Sequence, residues 1–433
     1  MSQGFDFADA PQPEQYGVCV HCGLCLDACP TYQELGVENQ SPRGRVYLIR
    51  AVAEGAMPLD MSLSDPVFRC LDCRACESVC PSGVPVGALI EEARGQVVKT
   101  LPERGAGAML RRFVLRGLFP YPRRLARIGS MLRMYQRSGI RSLAHRLGLL
   151  QILPQHLRDM ERALPAVPKP SRERLPDLLP AKGARRGRVG VFLGCVADTV
   201  FAGTNEATAR VLARNGFDVL MPPAQSCCGA LHVHAGDRDT AKRLARRNID
   251  AFLAAGVEAV VVNAAGCGAA MKEYGEWLCA DPVYGEQATR FADLVKDVSE
   301  FLVGQGFSAP ATGFSQRVTY HEACHLCHAQ KIRSQPRAVL QSIPNLSLVE
   351  MDESDRCCGA AGIYNLTYPE MASRLLERKM ANVPAGIATI ATANPGCMLQ
   401  LMVGAERTGR DIKVRHVVDL LDEAYAAEEQ VTL

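Results

Sequence analysis

The sequence lacks the features that mark a membrane-spanning or secreted protein. No apolar run reaches the ~18 residues that a transmembrane helix needs. The longest candidate, 259–271, is short and rich in Gly. Residues 1–17 are polar and acidic and have none of the features of a signal peptide. We therefore expect a cytoplasmic protein, or one attached peripherally to the inner face of the cell membrane.

Signatures of a substrate site are also missing. Residues 190–194 contain Gly, but their spacing is wrong for a dinucleotide-binding loop. No Ser/His/Asp or paired-carboxylate pattern stands out, so catalytic residues remain unassigned. The formal net charge of the 433 residues is only +3, which gives no reason to expect a nucleic-acid partner.

The charge is nevertheless uneven along the chain. Residues 101–188 contain 18 Arg and 2 Lys against five acidic residues, a net of +15, which leaves about −12 elsewhere. The segment includes amphipathic helical stretches such as 131–150 and a Pro-rich stretch at 164–180. We predict a basic helical and Pro-rich connector over residues 101–187. It could be a solvated linker packed on the other domains, or a surface for anionic lipid or an acidic partner subunit.

Cysteine, in contrast, is abundant, with 18 residues. Clustered Cys in a reducing compartment are more typical of metal binding than of disulfides. Eight of them form two runs of the pattern Cys-x2-Cys-x2-Cys-x3-Cys-Pro, at 19–30 and 70–81. This pattern is typical of bacterial ferredoxins, in which three thiolates of one run and the fourth of the other hold each cubane cluster.

The pattern predicts two [4Fe–4S] clusters with crossed ligands. The first cluster would use Cys19, Cys22, Cys25 and Cys80, and the second would use Cys70, Cys73, Cys76 and Cys29. Thiolates are soft anionic ligands that suit iron as it changes oxidation state. Two structural zinc sites are the alternative, but zinc needs four ligands and would not require a third Cys in each run with a crossed partner.

The domain that holds these runs, residues 18–100, is predicted to be mainly helical. Residues 43–55 are predicted to form a helix with Ser41 as N-cap and Pro42 in its first turn. A second helix is predicted at 84–101. Residues 1–17 are expected to be disordered.

The remaining half of the chain contains an internal repeat of cysteines. The two sets are Cys195, Cys227, Cys228, Cys267 and Cys324, Cys357, Cys358, Cys397. Gaps of 32 and 39 residues in the first set match gaps of 33 and 39 in the second, and both Cys pairs precede a Gly. We predict two repeated domains, 188–310 and 311–433.

Each repeat alternates strand and helix patterns, which predicts parallel sheets. Strands are predicted at 188–193, 257–263, 317–320 and 387–393, and helices at 205–215, 238–255 and 369–382. The single Cys residues follow these strands, so each set should converge at the carboxyl end of one sheet. The fold class is therefore α+β and α/β, with a helical ferredoxin-like domain, a basic connector and two α/β repeats.

The chemistry of the repeated sets has several interpretations. They could hold a further iron–sulfur cluster, another metal such as zinc, or one site per repeat, or they could serve packing alone. The segment 321–328 (HEACHLCH) has three His that could bind metal, relay protons, contact a quinone, or hydrogen-bond around the Cys site. His232 and His234 have the same alternatives, and Cys279 and Cys327 are expected to be free thiols.

The chain resembles the glycolate oxidase iron–sulfur subunit family from residue 18 to about 421. The most specific stretches are 19–32 (CVHCGLCLDACPTY), 41–49 (SPRGRVYLI), 323–330 (ACHLCHAQ), 357–365 (CCGAAGIYN) and 394–401 (NPGCMLQL). Heterodisulfide reductase subunits and the anaerobic glycerol-3-phosphate dehydrogenase C subunit share the Cys-Cys-Gly domain.

The resemblance implies the electron-transfer subunit of a flavin-linked glycolate (2-hydroxy acid) dehydrogenase. A partner flavoprotein carrying FAD would oxidise glycolate, and this chain would pass the electrons toward membrane quinone. A heterodisulfide-reductase-like subunit, or the iron–sulfur subunit of a lactate or glycerol-3-phosphate dehydrogenase, is the alternative. The heterodisulfide reductase pattern places a further Cys two residues after the last of each set, where this chain has Ala269 and Leu399.

Overall fold

A computed structural model describes residues 4–5, 9–101 and 105–431. Residues 1–3 and 6–8 of the segment expected to be disordered lie outside these ranges. Residues 9–17 differ from that expectation. A short helix, Pro13–Tyr16, buries the ring of Tyr16 in the core of the N-terminal domain, and the Asp9 carboxylate lies 2.7 Å from Lys242 Nζ. The buried ring of Tyr16 and the Asp9–Lys242 ion pair order this segment, although its composition favoured disorder.

The N-terminal domain is built from short helices around one apolar core. In the helix Pro42–Ala53, Ser41 caps the N-terminus as predicted, and its Oγ accepts a hydrogen bond from Gly44 N at 3.0 Å. This helix packs Val46 and Ile49 against the helix Val86–Thr100. The other helices here are Pro30–Leu35, Met61–Arg69 and Ala75–Ser78.

The connector is helical and lies on both repeats. His232 Nε2 donates a hydrogen bond to the Leu115 carbonyl oxygen at 2.8 Å, and Asp159 pairs with Arg407 at 2.7 Å. These contacts join the connector to the first and the second repeat respectively. Its helices are Ala106–Phe113, Pro122–Arg137, Ile140–Arg146 and Gln155–Ala163, with a π-helical turn at Val114–Leu118.

Each repeat contains four parallel strands in the same order, and the first sheet has one further, antiparallel strand that comes from the end of the connector. The first sheet comprises β1 (Leu178–Leu179), β2 (Gly187–Phe192), β3 (Phe217–Leu220), β4 (Ala259–Val262) and β5 (Val295–Asp297), and the second comprises β6 (Gln316–Tyr320), β7 (Leu346–Leu348), β8 (Thr389–Thr392) and β9 (Lys413–His416). Their orders are β1-β3-β2-β4-β5 and β7-β6-β8-β9. All pairings are parallel except that of β1 with β3. The predicted fold class and parallel sheets are confirmed.

Helices cover the sheets, and the two repeats share a core. Val189 and Val191 of β2 belong to the same buried apolar cluster as Val318 of β6 and Leu421. The helices of the first repeat are Val196–Val200, Ala202–Arg214, Ala230–His234, Arg238–Ala254, Ala265–Lys272, Tyr274–Trp277, Gly285–Leu294 and Val298–Gln305. Those of the second are Ser334–Gln341, Tyr364–Thr367, Pro369–Ala381, Pro395–Thr408 and Val417–Val431, with a π-helical turn at His325–Ala329. Among the described residues, no helix combines the length and apolar character needed to cross a membrane.

Candidate metal centres

Two narrow cavities in the N-terminal domain are lined by the eight clustered cysteines. One cavity is bordered by Cys29 together with Cys70, Cys73 and Cys76. The other is bordered by Cys19, Cys22, Cys25 and Cys80, and also by Cys76. The fourth Cys of each run thus lies at the cavity of the other run, as crossed ligation requires. The donor sets fit two cubane clusters, and the assignment of individual ligands remains a prediction.

Left-handed backbone allows each run to turn tightly around its cavity. His21 and Gly23 have positive φ between Cys19 and Cys25, and Asp72 and Arg74 have positive φ in the second run. Three of these four residues carry a side chain, which is uncommon in this region of φ and indicates that the surrounding structure imposes the turn.

Arg45 places a positive charge beside the cavity that Cys29, Cys70, Cys73 and Cys76 border. Its side chain is buried, and Nη1 lies 3.8 Å from Cys29 Sγ. Nε donates to the Pro66 carbonyl oxygen at 2.8 Å, and Nη2 donates to Thr31 Oγ1 at 3.0 Å and to Gln40 Oε1 at 2.9 Å. Burial raises the pKa of the Cys73 and Cys76 thiols, so metal binding there would displace protons.

In each repeat the four cysteines lie together, and the sulfur of each contacts that of the next. Cys227 contacts both Cys195 and Cys228, and Cys228 contacts Cys267. The second set repeats this order, from Cys324 through Cys357 and Cys358 to Cys397. The single cysteines follow β2, β4, β6 and β8, which is where the sequence places them. Their role as metal ligands remains a prediction.

A Gly after each Cys pair is required by the backbone. Gly229 and Gly359 have φ of +92° and +89°. A Cβ at Gly359 would lie 2.7 Å from the Ala372 carbonyl oxygen, so a side chain would clash as well as strain the turn. The turn presents the two adjacent Cys toward the same site.

The second set has a histidine neighbour. One ring nitrogen of His321 and the sulfurs of Cys358 and Cys397 lie within 4.8 Å of one another, and all three residues are buried. Neither ring nitrogen of His321 has a well-aligned hydrogen-bond partner among the residues that the structure describes, and the main chain of Ser354 is the group that approaches the ring. Burial, and then the charge of Lys379, hold the pKa of His321 well below its ordinary value, so the imidazole is neutral.

The first set has apolar surroundings. Phe192 occupies the position three residues before Cys195 that His321 occupies before Cys324. It packs with Phe252 in the cluster that also contains Cys195, Cys227 and Cys228. Tyr274 fixes the backbone of the pair, because its hydroxyl donates to the Cys228 carbonyl oxygen at 2.7 Å.

The second set also adjoins the N-terminal domain. Cys73 and Cys357 belong to one buried cluster, which Cys324 packs against. Tyr364, seven residues after Cys357, donates a hydrogen bond from its hydroxyl to the Arg69 carbonyl oxygen at 3.0 Å. A ferredoxin-type cavity and the second Cys-Cys-Gly set therefore share one interface.

Family models match the N-terminal domain, much of the connector and both repeats. The 4Fe-4S dicluster domain matches residues 15–84, the cysteine-rich domain matches 189–272 and 318–402, and the linker region of the glycolate oxidase iron–sulfur subunit matches 106–164. The chain is 45% identical to the probable glycolate oxidase iron–sulfur subunit of Bacillus subtilis, over 94% of this chain and 93% of that protein. The chain belongs to the glycolate oxidase iron–sulfur subunit family.

More distant relatives cover the same architecture. The glycolate oxidase iron–sulfur subunit of Escherichia coli is 36% identical over 95% of this chain and 94% of that protein. A subunit of the dihydromethanophenazine:CoB–CoM heterodisulfide reductase of Methanosarcina acetivorans is 28% identical over 94% of this chain and 93% of that protein. The matches support an iron–sulfur protein of an oxidoreductase system.

In this family member, a buried charge network joins the second run to the first repeat. Arg74 lies within ion-pair distance of four carboxylates, those of Asp72, Glu77, Glu91 and Glu273, at 2.9–3.6 Å. His234 Nδ1 lies 3.1 Å from Asp72 and 3.3 Å from Glu91. Burial alone would lower the pKa of His234, but these two carboxylates outweigh it and raise the pKa to about 9.

Sequence reasoning missed this network, although the position of Asp72 and Arg74 inside a Cys run was a usable signal. The other candidate histidines have polar partners of their own. His325 and His328 bond to the Asp72 and Asp355 carbonyl oxygens, and His232 bonds to that of Leu115. Among these histidines, His321 is the one brought beside Cys sulfurs.

Proposed function

We propose that this chain is the electron-transfer subunit of a flavin-linked glycolate dehydrogenase complex. It would take electrons from a partner flavoprotein that carries FAD and pass them toward membrane quinone. The observation that carries the proposal is the contiguity of three thiol-lined sites. Cys76 borders both ferredoxin-type cavities, and Cys73 adjoins the second Cys-Cys-Gly set. The bound clusters would supply one-electron carriers at these positions.

Exposed apolar residues around the cavity of Cys19, Cys22, Cys25 and Cys80 support a docking site for the flavoprotein. Val20 is 69% exposed and Leu24 60%, and both border the cavity lined by Cys19, Cys22 and Cys25. Cys22 itself is exposed, and Tyr47 adds a further exposed ring. An exposed apolar patch beside an exposed Cys of this cavity suits a partner that must bring its flavin close.

The connector supports peripheral attachment to an anionic membrane. Its exposed apolar side chains alternate with Arg on short helices, which is the pattern of segments that lie in the headgroup region. They include Met109, Leu110, Phe113, Ile128, Met131, Met134, Leu143 and Ile152. Attachment through these side chains would bring the chain to the membrane that contains the quinone.

A reconstituted complex tests the electron-transfer function. The full chain, purified anaerobically, is mixed with the flavoprotein subunit and glycolate, and cluster reduction is followed by electron paramagnetic resonance. Glycolate should reduce the clusters when the flavoprotein is present and should leave them oxidised when it is absent. Glycolate oxidation by this chain alone would contradict the proposed division of labour, and so would a lack of reduction in the complex.

Liposome flotation tests the membrane face. Wild type should bind vesicles with anionic lipid and release them at high salt, because the attraction is electrostatic. A Met131→Asp/Met134→Asp variant should bind more weakly, whereas Val283→Asp, an exposed apolar residue outside the connector, should bind like wild type. Equal binding by all three proteins would reject the connector as the attachment face.

The relation to the heterodisulfide reductase of Methanosarcina acetivorans favours disulfide reduction as a second candidate. The relation to lactate utilization protein A of Oceanobacillus iheyensis, 30% identical over 54% of this chain, favours lactate as an alternative substrate of the complex. Reduction of a disulfide by the isolated, prereduced chain would support the first. Faster cluster reduction by lactate than by glycolate, with a matching flavoprotein, would support the second.

A further inference from the structure

We propose that the second Cys-Cys-Gly set is a mixed thiolate–imidazole metal centre in which His321 is a ligand together with Cys358 and Cys397. The first set would be a thiolate site without a histidine. This inference depends on one part of the proposed function, namely that the second Cys-Cys-Gly set binds a metal. It does not depend on the identity of the substrate or of the partner.

The first argument is the unsatisfied imidazole. His321 is fully buried, and within the described part of the chain neither ring nitrogen has a well-aligned hydrogen-bond partner, although the main chain of Ser354 approaches the ring. A buried polar side chain without well-aligned partners is in a costly state. One of these nitrogens faces the sulfurs of Cys358 and Cys397 within 4.8 Å. A metal between the three atoms would satisfy the nitrogen. Imidazole is a ligand suited to both zinc and iron, so the donor set accommodates either metal.

The second argument is that the ring is positioned by the sheet. His321 directly follows β6, and its main-chain N donates to the Ala391 carbonyl oxygen of β8 at 2.9 Å. Cys397 lies on the helix that follows β8, and Asn394 Nδ2 lies 3.4 Å from its sulfur. Main-chain pairing therefore fixes the histidine and a cysteine of the site relative to each other, as metal ligands require.

The third argument comes from comparison within the chain. The four parallel strands of the first repeat have the same order as those of the second, and its Cys residues contact one another in the same sequence, but Phe192 stands in the place of His321. The surroundings of Phe192 are apolar, and its ring has no polar atom to satisfy. The histidine is therefore not needed by the fold that the repeats share, and it distinguishes the second set from the first.

A neutral imidazole would make the second centre less negative than an all-thiolate one. Fewer negative charges around iron raise its reduction potential, as in clusters where His replaces Cys. The second set is also the one that adjoins Cys73. If the bound metal is iron, the histidine would thus make the centre next to the ferredoxin-type cavities the better electron acceptor of the two, whereas zinc is not redox-active and would accept no electron.

The test uses the full chain, prepared anaerobically with ¹⁵N-labelled histidine. Iron and zinc are quantified first. If the metal beyond the about eight irons of two cubanes is iron, pulsed electron paramagnetic resonance reads histidine nitrogen coupling. If it is zinc, X-ray absorption at the zinc edge reads the ratio of nitrogen to sulfur ligands. We expect a histidine nitrogen signal in wild type and its loss in His321→Phe, the variant that copies the first repeat.

Two further variants keep the inference testable. His321→Cys should retain the metal of this site without the nitrogen signal, even if His321→Phe folds poorly. His328→Gln is the matched control, because His328 lies in the same segment but its nitrogens are within hydrogen-bond distance of Ser78 and Asp355. It should keep both metal and signal.

An unchanged nitrogen signal in His321→Phe would overturn the inference. So would a wild-type chain whose metal is confined to the eight ferredoxin-type cysteines. Neither result would affect reduction of the N-terminal clusters by glycolate and the flavoprotein, so failure of this inference can be told apart from failure of the proposed function.

Discussion

His325 Nε2 donates a hydrogen bond to the main-chain carbonyl oxygen of Asp72 at 2.7 Å. His325 follows Cys324, and Asp72 lies between Cys70 and Cys73. One bond therefore connects the backbone of the second ferredoxin-type run to the second Cys-Cys-Gly set. Burial, and then the charge of His234, lower the pKa of His325 to about 4, so its imidazole is neutral at physiological pH and can make this bond without carrying charge.

Replacement of His325 by Leu should loosen this interface. The Asp72 carbonyl would lose its partner in a buried place, which costs about 1–3 kcal/mol. We expect a lower apparent unfolding temperature and slower electron transfer between the N-terminal clusters and the second set, measured by rapid-mixing spectroscopy. His325→Gln retains an N–H donor. Its unfolding temperature and electron-transfer rate should therefore lie between those of His325→Leu and wild type. Identical transfer rates in all three proteins would show that the bond does not position the two sites.

The crossed ligation predicts which cysteine variants behave alike. Cys80→Ala should remove the same cluster signal as Cys22→Ala, because both residues border one cavity. Cys29→Ala should instead match Cys73→Ala. Each variant should lose up to about four irons, one cubane, measured by iron analysis and low-temperature electron paramagnetic resonance. If Cys80→Ala matched Cys73→Ala, the crossing would be wrong.

Much of this architecture could be predicted because short-range signals carry it. The Cys spacing anticipated the two thiol-lined cavities. Ser41 anticipated the helix Pro42–Ala53, the alternating Val189 and Val191 anticipated β2, and the run of Val at 260–262 anticipated β4. The repeat of Cys gaps anticipated the matching order of four parallel strands in the two sheets, because repeated strand–helix units keep the same spacing between their Cys residues.

Contacts between distant segments could not be predicted in this way. Arg74 meets Glu273, and Asp9 meets Lys242, across about 200 residues of sequence, and no periodic pattern encodes such pairs. The order of residues 9–17 depends on the burial of Tyr16 in a core that forms only after folding. The distinct role of His321 among the histidines likewise depended on which side chains found other partners.

Arg45 gives a prediction that separates charge from packing. Arg45→Met should lower the reduction potential of the second cluster, because a positive charge beside Cys29 favours the more negative reduced state. Arg45→Lys keeps the positive charge, so its reduction potential should stay close to that of wild type. Both variants should be less stable, by about 1–3 kcal/mol for each buried acceptor that loses its donor. Redox titration measures these potentials. If Arg45→Met and wild type had equal reduction potentials, the charge of Arg45 would have no effect on the cluster.

His234 predicts how the domain interface responds to pH. Its pKa rises from the ordinary 6.5 to about 9 in the folded chain, so its charge stabilises the fold fully below pH 6.5, and this contribution is lost as pH rises through about 9. The shift corresponds to an upper limit on the order of 3 kcal/mol. His234→Gln should therefore unfold at a lower temperature than wild type at pH 6, and the difference should shrink by pH 9.5, as measured by anaerobic scanning calorimetry.

His145 is an exposed histidine paired with Glu161, and His145→Gln serves as the control. Its unfolding temperature should differ little from that of wild type at either pH. A difference for His234→Gln that stayed constant across this range would mean that His234 supports the interface by packing and not by charge.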